Sequence, residues 1–399
     1  HVFLGVRFME RKILFYAFAL VLVSFFFATY LSQGEDQDLL SGKFVTQNVF
    51  PSPGVVCAAP SKIASGINPS IHNRDVVYYS PSLPGIVDYD LGPDHVGNTA
   101  DDRGTVTLTQ DPLNEIRYRP PQIFGSNVVW GETNPNLNKL SIYVMNEGPD
   151  GLFGTLDDIK PTLIFSTSFG VWPWFYQIYY GPFIYDNIVT FGIYDTSVNK
   201  EANYYCFTDT MSGPNSCFSG SPLSLITQQT AIKSKVLGMG DSNNFAFLWQ
   251  QSSNFNSDIY YKDRLNEGFV RNTNLMEFNP DIISWPFFTY IEQETIKGGM
   301  AGTPQFNAQI SITDQNFLRL YPKSGHSPPR FGPYFIIWQQ YKKASPFPAY
   351  DGLYVKMFGR NIPEVKVPFS GYASSFDVDD NTLVFDDTND LYTIECSSV

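Results

Sequence analysis

The chain has 399 residues, a formal net charge of −13, and charged and aromatic fractions of 16% each. An acidic surface repels phosphate backbones, which argues against nucleic acid as a partner. With 30 Gly, 28 Pro, 34 Phe and 24 Tyr, the composition suits many short strands and tight turns, and argues against coiled coils, helical bundles and disorder.

The first predicted element is a hydrophobic helix within residues 1–34. Arg7, Arg11 and Lys12 precede the apolar stretch Ile13–Leu31, and Glu35, Asp36 and Asp38 follow it. The stretch is long enough to span a bilayer, and the basic flank stays in the cytoplasm, so the C-terminal body is exported. The first residue is His1, and Met9 reads as the translation start. No small-x-small site follows the apolar run, where Phe26-Phe27-Ala28-Thr29-Tyr30 is bulky. A cleaved signal peptide and an uncleaved signal anchor therefore both stay open, the latter tying the chain to a membrane. Residues 35–65 form a linker with a strand-like segment, Lys43–Phe50.

A repeat occupies residues 66–399. The runs Val76–Tyr78, Val128–Trp130, Val189–Phe191, Phe247–Trp249, Phe288–Tyr290, Ile336–Trp338 and Leu383–Phe385 recur at intervals of about 40–60 residues. A Pro-containing apolar segment precedes several of them, as in Pro69-Ser70-Ile71 and Pro182-Phe183-Ile184. A second β run follows, as in Ile142-Tyr143-Val144 and Ile259-Tyr260-Tyr261, and then a looser fourth, as in Val106–Thr109. Four antiparallel strands per unit is the blade of a β-propeller, and one such sheet buries both faces only by stacking on neighbours. The expected fold is all-β: a propeller of seven four-stranded blades, six being the nearest variant. A large sandwich and a β-helix are the competing architectures.

The unit Pro121-Gln122-Ile123-Phe124-Gly125-Ser126-Asn127-Val128-Val129-Trp130, followed by Leu140–Val144, resembles the blade of TolB-like propellers. In that family a Pro-x-Ile-x-Gly-x-x-Ile-Val-Phe stretch precedes Asp-Ile-Tyr-Val-x-Asp. Asp258-Ile259-Tyr260-Tyr261-Lys262-Asp263 and Asp390-Leu391-Tyr392 are similar to the second half. The resemblance spans roughly residues 66–396 and implies a periplasmic or cell-surface platform that binds a protein or a glycan. Fold alone does not fix that function.

A duplicated acidic loop follows the third strand of the first two repeats. Gly92-Pro93-Asp94-His95-Val96-Gly97-Asn98-Thr99-Ala100-Asp101-Asp102 aligns without a gap on Gly148-Pro149-Asp150-Gly151-Leu152-Phe153-Gly154-Thr155-Leu156-Asp157-Asp158. Asp90 and Asn146 occupy matching positions upstream. Calcium takes six to eight oxygen ligands, which clustered Asp and backbone carbonyls on a glycine turn supply. The candidate ligands are Asp90, Asp94, Asp101 and Asp102, and Asn146, Asp150, Asp157 and Asp158. The alternative is an acidic turn closed by Asx hydrogen bonds. The departure at Gly97-Asn98 makes the first copy the weaker candidate.

Between the second and third repeats, Trp172, Trp174 and Tyr176 offer aromatic surface for a sugar or peptide, with burial between blades as the alternative. Trp285-Pro286-Phe287 is a similar case. Cys206 and Cys217 flank the turn-forming Ser212-Gly213-Pro214-Asn215 and should pair. The last repeat holds three strands before the chain stops at Val399, so the linker segment Lys43–Phe50 should supply the missing strand. Cys57–Cys396 should then lock the ring.

Catalytic motifs of the His-Glu-x-x-His, Gly-x-Ser-x-Gly and phosphate-loop kinds are absent from the sequence. Asp377-Val378-Asp379-Asp380 and Asp386-Asp387 read as turn formers. The expected function is a non-catalytic secreted or cell-surface binding module for an extracellular protein or glycan, stiffened by calcium. The alternative is an extracellular polysaccharide hydrolase or lyase using carboxylates in the propeller tunnel.

Overall fold

The computed structural model describes residues 54–398 other than 112–115, 169–175, 196–199, 211–214, 220–223, 230–231, 254–255, 264–266, 272–276, 285–286, 293–294, 301–309, 312–329, 332–334, 343–348 and 358–362. The expected N-terminal helix and the segment Lys43–Phe50 lie outside them. No helix among the described residues is long and apolar enough to cross a membrane.

The described strands form seven antiparallel sheets in chain order, over residues 67–107, 117–168, 176–229, 232–271, 277–311, 330–366 and 376–398. Each of the seven recurrent runs lies on the second strand of its sheet, for example Val76–Tyr78 within Asp75–Ser80 and Leu383–Phe385 within Thr382–Asp387. The innermost strand of each sheet lies against that of the next, and the seventh against the first. That closed series is a β-propeller, because only a ring gives every sheet a neighbour on both faces.

The core is distributed over the seams between sheets. Val77, Ile86, Ile123, Val128, Trp130, Met145 and Phe153 fill the first–second seam. Phe335, Ile337, Leu353, Phe376, Leu383 and Phe385 fill the sixth–seventh seam. Side chains alternate between faces along a strand, so second and third strands carry apolar residues on both sides. The repeat also has a stacking signature. The last residue of the second-strand run pairs across the ladder with an aromatic of the third strand: Trp130 with Tyr143, Phe191 with Tyr204, Trp249 with Tyr260, Trp338 with Tyr354, and Phe385 with Tyr392. Their ring centroids lie 5.4–6.2 Å apart in near-parallel planes. Such aromatic pairs contribute about 0.5–1.5 kcal/mol beyond their buried area.

The outer strand of the seventh sheet comes from the N-terminal side of the ring. Val55–Cys57 and Ser61–Ser65 both pair with Asp390–Ser398. Cys57 stands directly opposite Cys396 in that ladder. Both expected disulfides are present: Cys57–Cys396, with Cα atoms 4.0 Å apart, and Cys206–Cys217, at 5.1 Å.

The acids of the last repeat act differently from the turn-former reading. Asp377 lies inside the innermost strand Phe376–Asp379, and its Oδ2 accepts from Ser70 Oγ at 2.8 Å and Ile71 N at 3.1 Å. Asp386 Oδ2 accepts from Asn68 N at 2.7 Å, and its Oδ1 from Ser375 N at 2.8 Å. These carboxylates bond the seventh sheet to the first, because the adjoining innermost strand offers amides and a hydroxyl that its own ladder leaves free. Asp380, with φ of 48°, lies in a hairpin turn, and Asp379 and Asp387 open the turns at Asp380-Asn381 and Thr388-Asn389, as expected.

Candidate functional site: the paired acidic loops

Each acidic loop joins the third strand of its sheet to the fourth, in the first sheet between Gly85–Asp90 and Gly104–Thr107 and in the second between Lys139–Asn146 and Ile159–Ser168. Antiparallel order places both on the same face of neighbouring blades.

The loops repeat bond for bond. Gly92 N donates to Asp90 Oδ1 at 2.8 Å, and Gly148 N to Asn146 Oδ1 at 2.9 Å. Val96 N donates to Asp94 Oδ1 at 2.9 Å, and Leu152 N to Asp150 Oδ1 at 3.0 Å. Asn98 N donates to Asp102 Oδ2 at 2.6 Å, and Gly154 N to Asp158 Oδ2 at 2.8 Å. Thr99 Oγ1 donates to Asp101 at 2.7 Å, and Thr155 Oγ1 to Asp157 at 2.6 Å. That threonine bond is the first cause of the lowered pKa of both Asp101 and Asp157. Gly92 and Gly148 have φ of 71° and 76°, and a Cβ on either would stand 2.6 or 2.5 Å from the carbonyl oxygen of Asp101 or Asp157. Glycine is required there both for the backbone conformation and for the close approach.

The Gly97-Asn98 departure has a packing cause. Asn98 keeps the left-handed backbone of its counterpart Gly154, with φ of 67° against 83°. Gly97 replaces Phe153 because a Cβ there would lie 2.3 Å from Ile63 Cγ2 and 2.5 Å from Thr393 Oγ1. Each loop thus leans on the preceding sheet. The first touches the seventh, with Ser61 Oγ donating to Gly97 O at 3.1 Å and Thr382 Oγ1 to His95 O at 3.3 Å. The second sends Phe153 into the first–second seam and brings Gly154 against Val106 of the first sheet.

One oxygen from each of Asp94, Asp101 and Asp102 lies within 4.8 Å of the other two, and Asp94 and Asp101 are exposed. No such group forms from Asp150, Asp157 and Asp158, so the copy that departs from the pattern is the one with converging carboxylates. Asp90 stands outside the group: it is 2% exposed and faces Arg74 Nε at 3.6 Å and Arg103 Nη1 at 3.8 Å. Asn146 is occupied by Gly148 N and by Asn127, which accepts from its Nδ2 at 3.0 Å. Trp172, Trp174 and the Trp285-Pro286 pair lie outside the described residues, and Tyr176 is described only as the first residue of the strand Tyr176–Tyr185.

Sequence reasoning singled out Asp90 and missed the acids beside it. Asp75, Asp88 and Glu147 are buried with Asp90 in the first–second seam. Asp75 pairs with Asp90 across the ladder, and Asp88 is two residues from Asp90, so all three share the face turned to the second sheet. The signal was available: Asp88 interrupts an otherwise apolar strand at a position whose alternation demands burial.

No protein-family model matches the chain, and no curated protein matches it. Among solved structures it is similar to the β-propeller domain of the Trilobed protease from Pyrococcus furiosus at 10% identity, covering 85% of this chain and 95% of that one, with a TM-score of 0.49. It is similar to a prolyl endopeptidase at 13% identity, covering 84% of this chain and 49% of that one, with a TM-score of 0.47. It is similar to the Trypanosoma rangeli sialidase at 10% identity, covering 86% of this chain and 60% of that one, with a TM-score of 0.39. The propeller assignment rests on the closed ring of sheets rather than on these likenesses.

Proposed function

We propose that the chain is an exported, non-catalytic propeller of seven blades, TolB-like in its repeat, that binds an extracellular protein or glycan and is stiffened by calcium. The observation that carries this reading is the use made of acids beside the propeller axis. Asp377 is bonded to Ser70 and Ile71, and Asp379 Oδ2 accepts from Asn73 N and lies 3.6 Å from His72 Nδ1. Carboxylates engaged in this way join sheets, whereas glycosidase chemistry needs an opposed pair open to substrate. Two disulfides in the ring suit an oxidising, extracellular setting. The export signal, cleaved or retained as a membrane anchor, is residues 1–34.

Calcium enters through Asp94, Asp101 and the half-buried Asp102, whose converging oxygens a cation would join. Asp150, Asp157 and Asp158 form the second, less converged site. The protein in chelator should gain melting temperature on adding calcium, and Asp94→Ala with Asp102→Ala should abolish most of the gain. A melting curve indifferent to calcium and chelator overturns the calcium reading. For the module reading, purified protein is tested on a panel of immobilised polysaccharides for retention, and on the same polysaccharides in solution for new reducing or unsaturated ends. Turnover that scales with protein concentration overturns it in favour of the hydrolase or lyase.

A further inference from the structure

We propose that the mouth of the propeller axis, on the face of the acidic loops, docks a basic segment of an extracellular protein. One lysine or arginine side chain is held there against the rings of Phe124 and Tyr185 and by the carboxylate of Asp379. The inference rests on the binding-module reading and commits it to a protein partner rather than a glycan.

One register position builds the site. On the innermost strands, Val378, Ile71, Ile123 and Ile184 are buried in four successive seams. Alternation along a strand turns the next residue away from the seam and towards the axis. Those residues are Asp379, His72, Phe124 and Tyr185, on the seventh, first, second and third sheets, and all are half-buried. Each pairs with the residue just before a second-strand run, namely Thr382, Asp75, Asn127 and Ile188, so they stand at one level. They also touch in series. His72 Nδ1 lies 3.6 Å from Asp379 Oδ2. The His72 and Phe124 rings stack with centroids 4.3 Å apart at 29°, and Phe124 and Tyr185 lie 4.7 Å apart at 40°. Four consecutive blades thus present a carboxylate and three rings as one continuous wall.

A wall of this composition selects a cation. Ring faces are electron-rich and attract an ammonium or guanidinium group within about 6 Å of their centroids. Asp379 Oδ2 is taken by Asn73 N and His72, while its Oδ1 accepts from no described donor. Asp186, half-buried in the turn after Tyr185, accepts from Gly240 N at 3.1 Å. Burial first, and then Asp241, raise its pKa against that bond, a cost that a cation in the mouth relieves.

The surrounding face has the matching sign. Antiparallel order puts the first-to-second turns on the same face as the third-to-fourth loops. Asp94, Asp101, Asp150, Asp157 and Asp380 are exposed on them. Arg74 and Arg103, the cations beside these acids, both face the buried Asp90. With a net charge of −13, such a face steers a basic protein inward and repels an acidic one. A neutral glycan would use the rings but draw nothing from this field.

The test is run in calcium excess, with the acidic loops saturated, so that it reads the axial mouth. Fluorescein-labelled oligolysine and oligoarginine are titrated with the purified chain and followed by anisotropy, beside oligoglutamate and cellohexaose. Both cationic peptides should bind, and more weakly as salt rises, whereas oligoglutamate and cellohexaose should not. The double variant Phe124→Leu with Tyr185→Leu keeps the mouth apolar but removes the ring faces, and should bind the cationic peptides about 3- to 30-fold more weakly. Asp379→Asn, which keeps an acceptor for Asn73 N, should also weaken them. Cationic peptides that fail to bind, or that bind both variants as tightly as wild type, overturn the proposal. Cellohexaose bound by wild type and lost in the double variant overturns it too, assigning the mouth to a glycan with the module reading intact. Failure of the module reading is distinct, since it is read as turnover of polysaccharide. Should the double variant unfold, Asp379→Asn alone decides.

Discussion

Removing the closing disulfide should destabilise the ring far more than removing the local one. Cys57 and Cys396 are 339 residues apart, whereas Cys206 and Cys217 are 11 apart. The chain-entropy relation then gives about 6 kcal/mol for the first bond and about 3 kcal/mol for the second. Cys206, Cys217 and Cys396 are buried and Cys57 is half-buried, so the cavity cost of Cys→Ala is if anything larger at Cys206–Cys217 and works against the expected order. Each pair is replaced by alanine and unfolding in urea is followed by tryptophan fluorescence. Trp130, Trp249 and Trp338 are buried in the second, fourth and sixth sheets and report on both sides of the ring. Cys57→Ala with Cys396→Ala should lose about 3 kcal/mol more than Cys206→Ala with Cys217→Ala. Equal losses would refute the argument that loop closure governs the contribution of Cys57–Cys396.

Gly148→Ala should lower stability by about 1–3 kcal/mol, because it combines a left-handed backbone with a clash against Asp157 O, and Gly92→Ala should behave alike. Thermal melts of the two variants should agree within error. Asp377→Ala leaves Ile71 N and Ser70 Oγ without their acceptor across the seventh–first seam and should cost about 2–3 kcal/mol in urea unfolding. Phe153→Ala removes a buried ring from the first–second seam and should cost about 3–5 kcal/mol, whereas Leu156→Ser, on a fully exposed side chain of the same loop, should leave the melting curve unchanged.

The repeat was legible in the sequence because each second strand must be apolar on both faces. That requirement writes a β-branched run ending in a large side chain, as at Val128-Val129-Trp130, and any ring of stacked sheets repeats it. The pairing of Cys57 with Cys396 was legible for a related reason: Cys396 falls on the third strand of its repeat, beside the position of an outer strand, which Val55–Cys57 fills. The partner strands were harder to place. Val55–Cys57 and Ser61–Ser65 are short and interrupted by Pro60, so they lack the composition that singled out Lys43–Phe50. The roles of Asp377 and Asp386 were hidden because Asp next to a hairpin is a frequent turn former, and only the neighbouring sheet shows which donors it meets. Asp88 was legible as an acid inside an apolar strand, but Asp75 and the grouping of the two with Glu147 were hidden, because which acids meet is decided by sheet stacking, which no local pattern reports.

The placement of the acids has a physical consequence for the ring. The closing seam, between the seventh and first sheets, is tied by Asp377, Asp379 and Asp386, and the next seam holds Asp75, Asp88, Asp90 and Glu147. One acidic loop rests over each of these two seams, the first against Ile63 and Thr393, the second against Val106. Apolar contact is non-directional and tolerates small rotations of one blade against the next. A carboxylate bonded to two donors of the adjoining strand fixes their register, as Asp377 does with Ser70 and Ile71. Backbone crosses this seam from Ser61–Ser65 of the seventh sheet to Ile67–His72 of the first, and the break in the backbone lies inside the seventh sheet, where Val55–Cys57 and Ser61–Ser65 pair with Asp390–Ser398. Directional bonds are found at the seam beside that closure. The same chemistry makes this part of the ring the most sensitive to solution conditions, since protons act on the buried acids and cations on the exposed ones. Changes in pH or calcium should therefore act first on the seventh, first and second blades, and the amides of the first and second sheets should respond before those of the fourth.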